Sequence, residues 1–171
     1  MRYGTHTLHD LVERHCWTRG AEIGVYQGKT AFYLLDRRPD LTLYAVDSWP
    51  RDAQWRPPPA PPRDMRRIGV EFKRMAEEVG YWDGRLIVLH GPSVEMATHV
   101  DDGSLDFVFI DADHTTPAVL ADIEAWAPKV RSGGMVLGHD VHLDSVRDAV
   151  RQVYGGAYET YPNDVWGVAK S

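Results

Sequence analysis

Two short segments of this 171-residue chain concentrate groups that bind cations or move protons: Asp111-Ala112-Asp113-His114 and Gly138-His139-Asp140-Val141-His142. Carboxylate oxygens and imidazole nitrogens together make a donor set for a divalent ion, and a histidine alone titrates near neutrality and suits proton removal. Two chemistries are therefore open. In one, Asp111, His139 and Asp140 hold an ion that stabilises a developing alkoxide or phenolate. In the other, His139, His142 or His114 is a general base and no ion is needed. Plainer roles compete with both, because Asp113 and Asp140 can cap helices and His114 can satisfy a loop backbone.

A further group lies upstream. Glu22-Ile23-Gly24-Val25-Tyr26-Gln27-Gly28 has the spacing E-x-G-x-x-x-G. It lacks the paired early glycines of G-x-G-x-x-G that seat a pyrophosphate on a helix N-terminus. An acidic residue inside the turn disfavours phosphate and suits a ligand with a cationic end. Asp47 follows the next apolar run, where a carboxylate accepts hydrogen bonds from the two hydroxyls of a ribose. A nucleoside carrying a positive amino-acid tail satisfies both features.

These residues need a scaffold that gathers them, and the hydrophobic pattern supplies one. Leu8, Leu11, Val12 and Cys16 recur at helical spacing after Thr5 and Thr7, either of which can cap, so Cys16 is expected to be a small buried side chain. Apolar runs at 21–25, 41–46, 86–89, 105–110 and 135–137 read as strands, the last entered through Gly133-Gly134. Helical periods intervene: one stops before Pro39, one carries Ile68, Phe72, Met75, Ala76 and Val79 to Gly80, and one runs from Thr116-Pro117 to about 130. Ser93 can cap a short helix to 100, and Val146, Ala149, Val150 and Val153 mark a last helix stopped by Gly155-Gly156. Runs at 157–161 and 165–169, joined by Pro162-Asn163-Asp164, read as a hairpin. The fold class that follows is α/β: a Rossmann-like, mostly parallel sheet with helices on both faces and a C-terminal antiparallel hairpin. Ligands bind such sheets outside the carboxyl ends of the strands, where every residue named above falls.

Composition bounds the partners. With 43% hydrophobic and 26% charged residues, the expectation is one folded domain over 1–171. The net charge of -6 repels a polyanion, so nucleic acid is excluded as a bulk partner. No apolar run reaches the ~20 residues that span a bilayer, and one cysteine forms no internal disulfide, so a cytoplasmic protein with no membrane partner is expected. Six of the 11 prolines fall in 50–62, which predicts an exposed, semi-rigid loop over 50–63. From 51 to 74 there are seven basic residues (Arg51, Arg56, Arg63, Arg66, Arg67, Lys73 and Arg74) against three acidic ones. With Trp49 and Trp55 as apolar walls the loop can form a lid over an anionic or sugar-bearing acceptor; alternatively the arginines are a solvated helix face and the tryptophans a packing cluster. Trp17, Trp82, Trp126 and Trp166 are expected in the core or at its edge. The terminal hairpin and an exposed sheet edge are candidate surfaces for pairing two chains as a homodimer.

Through Glu22-x-Gly24-x-x-x-Gly28, Asp47, Phe109-Ile110-Asp111-Ala112-Asp113-His114 and Ser132-Gly133-Gly134-Met135-Val136-Leu137-Gly138-His139-Asp140, the chain resembles the class I S-adenosylmethionine-dependent methyltransferases. Within them it is similar to small-molecule O-methyltransferases of the cephalosporin hydroxylase/rhamnosyl and macrocin O-methyltransferase type. The resemblance implies S-adenosylmethionine as donor, Glu22, Gly24 and Gly28 around its methionine part, and Asp47 on its ribose. Ser48 and Asp111 join these as cofactor contacts. Ser93 stands where the family usually places an acidic adenine contact. In the related metal-dependent enzymes, catechol O-methyltransferase among them, the positions of Asp111, His139 and Asp140 bind a divalent ion. A histidine in that set moves the expectation from magnesium toward manganese, iron or zinc. The activity implied is methyl transfer to a hydroxyl of a small-molecule acceptor. A nicotinamide-dependent oxidoreductase on a similar sheet and a non-catalytic nucleoside-binding protein are the alternatives.

Overall fold

Alternation of buried side chains decides the architecture. In β4 (Leu105–Ile110) Phe107 and Phe109 enter one hydrophobic core while Val108 and Ile110 enter a second on the opposite face. Such a strand must be covered on both sides. The structure, a computed structural model, describes residues 4–50 and 64–171. Apart from Pro50, the expected proline-rich lid with Trp55, Arg51, Arg56 and Arg63 lies outside the described residues.

The other strands are β1 (Arg19–Ile23), β2 (Thr42–Asp47), β3 (Leu86–His90), β5 (Val130–Gly138), β6 (Glu159–Tyr161) and β7 (Val165–Ala169). Among the described residues these seven strands form one sheet in the order β3-β2-β1-β4-β5-β7-β6. Pairs among the first five are parallel, whereas β7 runs antiparallel to β5 and β6. This is the expected α/β sheet with its terminal hairpin, and in the hairpin loop Asn163 and Asp164 adopt φ of 62° and 60°. Helices α1 (Gly4–His15), α2 (Lys29–Arg37) and α3 (Met65–Val79) contribute to the first core. Those contributing to the second are α4 (Ser93–Met96), α5 (Thr116–Trp126) and α6 (Asp144–Tyr154). The chain crosses from one half of the sheet to the other between β1 and β4, which opens a crevice at their carboxyl ends.

In α3, Ile68, Phe72 and Ala76 are buried at helical spacing, the Asp64 carboxylate accepts from the Arg67 N–H, and Gly80 at φ 83° ends the helix. The outer face carries the pairs Arg67–Glu71 and Arg74–Glu78. The described part of the basic segment is thus a solvated helix face. Trp49 is buried against Phe72 and its indole N–H donates to the Tyr26 carbonyl at 2.9 Å, so it is a packing residue and not a lid wall.

Several sequence expectations are corrected. Cys16 is exposed, because α1 ends at His15 and the chain leaves through a left-handed Cys16 at φ 52°. Thr5 and Thr7 are buried inside α1 instead of capping it. Their hydroxyls bond Thr30 Oγ1 and the Pro162 carbonyl, both at 2.9 Å. β1 begins at Arg19, two residues before the apolar run, since Asp106 accepts from the Thr18 and Arg19 N–H groups and fixes that end. β5 begins at Val130, and Gly133-Gly134 lies within it, where its register against β4 shifts. α5 stops at Trp126 and continues only as a 3₁₀ turn. Trp17, Trp126 and Trp166 are core residues, but Trp82 is 47% exposed. No helix among the described residues is long and apolar enough to cross a membrane.

Candidate active site

At the carboxyl edge of the sheet lies a cavity of about 620 Å³, bounded by Gly24 and Tyr26 after β1, Asp47 and Ser48 at the end of β2, and Gly91 to Val94 after β3. Asp111 to His114 after β4 and Ala118, Ala121 and Asp122 of α5 close its other side. Of the residues expected to touch a cofactor, Gly24, Asp47, Ser48, Ser93 and Asp111 line this space. Glu22 and Gly28 are not among its lining residues.

Gly24 is required by close approach. At φ 92° a Cβ there would sit 2.3 Å from the Asp111 carbonyl oxygen and 2.6 Å from Ala112 Cα. The ends of β1 and β4 can touch only because that side chain is absent. Gly28 serves packing: it caps α2 at φ 77°, and its Cβ position is filled by Phe72, 2.6 Å away. Glu22 is 2% exposed in β1, between Ala45 and Phe109 of the neighbouring strands.

Asp47 is held by the backbone it organises. One carboxylate oxygen accepts from the Tyr26 N–H at 2.8 Å and the other from the Trp49 N–H at 2.7 Å. Both donors have positive φ, 53° and 35°, an uncommon conformation for aromatic residues that this carboxylate helps to fix. Each oxygen retains a lone pair directed elsewhere, as a ribose diol requires. Burial pushes the Asp47 carboxyl above its ordinary value, against the bonds from Trp49 and Ser48 and the charge of His90.

Beside the cavity, Asp111, His139 and Asp140 bring ligand atoms within 4.8 Å of one another. The His139 Nδ1 lies 3.1 Å from Asp140 and 3.9 Å from Asp111. Its Nε2 side abuts the backbone of Gly4, where a Cβ would come within 2.6 Å, so Nδ1 is the ring atom turned to the carboxylates. Asp140 is left-handed at φ 58°, which turns its carboxylate between His139 and His114. His114 Nε2 is 2.6 Å from Asp140 and 3.5 Å from Asp111, and hydrogen bonding to Asp111 and then Asp140 pushes its pKa up to about 9. Asp140 is held well below the ordinary carboxylate range by His114 and His139, despite burial. His142 is half exposed, 3.4 Å from Asp164 and 3.8 Å from Asp140. All three histidines thus gather around Asp140, but only His114 lines the cavity.

Asp122 escaped the sequence reading. It is 5% exposed in the middle of α5, between Val119, Ile123 and Trp126 of the core, yet it borders the cavity. Its one sequence signal is a carboxylate on the apolar face of a helix. Burial first, and the charge of Asp113 as well, push its pKa up to about 6 against the hydrogen bond from Ser93. The folded chain thus holds a proton that the unfolded chain releases near 3.8. The associated stability is complete below that value and is lost as pH rises through about 6. Asp122→Asn is therefore expected to raise the melting temperature above pH 7, by an amount corresponding to about 1–3 kcal/mol, and to have little effect at pH 4. Thermal melts at the two pH values check this, and equal shifts at both would contradict it.

Four carboxylates, Asp47, Asp111, Asp113 and Asp122, face the cavity, and no lysine or arginine occurs among its described lining residues. That field opposes a pyrophosphate and favours a sulfonium and an ammonium. With the sheet order and the acid after β2, it defines the class: an S-adenosylmethionine-dependent methyltransferase of class I. A methyltransferase-domain family matches residues 21–141, and the chain belongs to that family. Among solved structures it is similar to the O-methyltransferase NovP, at 18% identity over 98% of this chain and 78% of that one, TM-score 0.70. It is also similar to the O-methyltransferase TomG from Streptomyces achromogenes, solved with S-adenosylmethionine, at 17% identity over 98% and 80%, TM-score 0.69. The calicheamicin methyltransferase CalS11 aligns at 14% identity over 95% and 77%, TM-score 0.65. No curated protein matches the chain.

Proposed function

We propose that the chain, as a single domain, methylates a hydroxyl of a small-molecule acceptor, with a divalent ion at Asp111, His139 and Asp140. The observation that carries this reading is adjacency. Asp111 belongs both to the acid-lined cavity suited to the donor and to the cluster whose three ligand atoms lie within 4.8 Å. The donor set of two carboxylates and one imidazole fits a manganese, iron or zinc ion, and magnesium as well. Such an ion would acidify a bound hydroxyl and hold it in line with the methyl group.

The residues of the chain supply the remainder. Asp47, held by its two backbone donors, fixes the ribose, and Gly24 lets the ends of β1 and β4 close beside the donor. The carboxylates around the sulfonium orient it for an in-line displacement that requires little electrophile activation. In this reading His142, half exposed beside Asp140, passes the hydroxyl proton to solvent. That solved structures of similar fold include O-methyltransferases, one of them a TDP-rhamnose 3'-O-methyltransferase, supports a hydroxyl and a glycosyl acceptor. A cytoplasmic homodimer is part of the same proposal.

The test has two arms. S-adenosylhomocysteine is expected to raise the melting temperature by several degrees and NAD to leave it unchanged, as one-sided binding requires. Methylation of glycosyl or phenolic acceptors is expected to stop in excess chelator and return with manganese or magnesium. Stabilisation by NAD alone would refute the donor, and undiminished turnover in chelator would refute the ion.

A further inference from the structure

The cavity has a slot at the end bounded by the start of α4 and one face of α5. Ala118, Ala121 and Asp122 are spaced i, i+3 and i+4, so they share the α5 face that borders the slot. Two alanines remove bulk where a flat ring can lie against the helix. Asp122 stands at the end of that bare stretch, almost wholly buried. Opposite is Ser93, whose hydroxyl oxygen accepts from the Trp126 indole N–H at 2.8 Å. Its own hydrogen is then free to go to the Asp122 carboxylate. One bond from Ser93 uses a single acceptor site of the Asp122 carboxylate and leaves the others for a ligand.

A buried carboxylate that destabilises the folded chain at neutral pH needs a use, and hydrophobic neighbours provide none. The opposite wall names the ligand group. Asp47 sits on the other side of the cavity as the ribose acceptor, and a base attached to that ribose extends into the slot with its polar edge toward Ser93 and Asp122. We propose that Asp122 reads the exocyclic amine of the adenine, so that the base-specifying carboxylate comes from α5 and not from the end of β3. The proposal rests on the donor reading above. Asp122 is then a specificity residue that selects an amino-purine over an oxo-purine: an oxo group presents a lone pair to the carboxylate where the amine presents a hydrogen.

The experiment is calorimetric titration of the full chain with S-adenosylhomocysteine and with S-inosylhomocysteine, its 6-oxo counterpart. The wild-type chain is expected to prefer the adenosyl compound by tenfold or more, the order found when a charged hydrogen bond is replaced by a repulsive contact. In Asp122→Asn, whose amide both donates and accepts, the preference is expected to fall to within about threefold, because the amide can meet either purine. Asp122→Ser, which removes the carboxylate altogether, is expected to lose the preference as well, and melting curves establish that both variants fold. A wild-type preference that persists in both variants overturns the assignment, as does equal binding of the two compounds to the wild-type chain. If neither compound binds the wild-type chain, the donor reading itself has failed, an outcome separate from a misplaced base reader.

Discussion

Asp111→Asn is expected to abolish divalent-ion stimulation and to reduce kcat by about 10²–10³-fold, the range associated with losing a charged group that stabilises a developing oxyanion. The substitution keeps size and removes charge. Its backbone is secured independently, since the Asp111 N–H donates to the Ile23 carbonyl at 2.8 Å, so the loop should keep its course. Only the side chain's partners change: His114 at 3.5 Å and His139 at 3.9 Å each lose an anionic neighbour. S-adenosylhomocysteine affinity is expected to change far less than turnover, because Asp47 and Gly24 are untouched. Initial rates across a manganese titration, paired with product-affinity measurements, check the split. A variant that keeps both its ion response and most of its turnover would remove Asp111 from the ion site.

Gly24→Ala is expected to be the most destabilising single methyl addition in the crevice, by about 3–5 kcal/mol. Two effects combine: left-handed strain of about 1–3 kcal/mol and overpacking of similar size. The added carbon would sit 2.3 Å from a backbone oxygen and 2.6 Å from a backbone Cα, neither of which can swing aside like a flexible side chain. Gly84 gives the internal control. Its φ of 97° carries the same backbone strain, but nothing lies within 4 Å of a Cβ there, so Gly84→Ala should cost only the first term. Urea denaturation of the two variants separates strain from contact. Equal losses would mean that the β1–β4 approach tolerates the added carbon, and a typical total stability of roughly 5–15 kcal/mol makes the difference easy to resolve.

The sheet was legible in the sequence because its central strands are buried on both faces. Runs such as 107–110 are apolar throughout, and this one stops at Asp111, a residue with chemistry to offer. The donor side of the site was legible for the same reason, since Gly24, Asp47 and Asp111 sit at strand ends and the strand ends could be counted. Cys16 was misread because helical spacing continues past His15 while the backbone does not, and periodicity carries no signal for a left-handed exit. Thr5 and Thr7 resembled caps, yet their hydroxyls are used by Thr30 and Pro162, contacts spanning 25 and 155 positions that no local pattern encodes. Asp122 was hidden by α5 itself. Its neighbours read as an ordinary apolar face, and that Ala118, Ala121 and Asp122 border a cavity is a tertiary fact that helical periodicity does not encode.

The strand order has a consequence for how the molecule holds together. Read along the chain, β1 to β3 form one contiguous half of the sheet and β4 to β7 the other, and the two meet at a single parallel seam, Gly20 to Ile23 against Phe107 to Ile110. Parallel pairing across so many intervening residues is costly to nucleate and has no short turn to enforce it. The cavity straddles that seam, with Asp47 on one half and Asp111 and Asp122 on the other. A donor molecule bound there would bridge the two half-sheets, so occupancy would stabilise their pairing as well as prepare the methyl group for transfer.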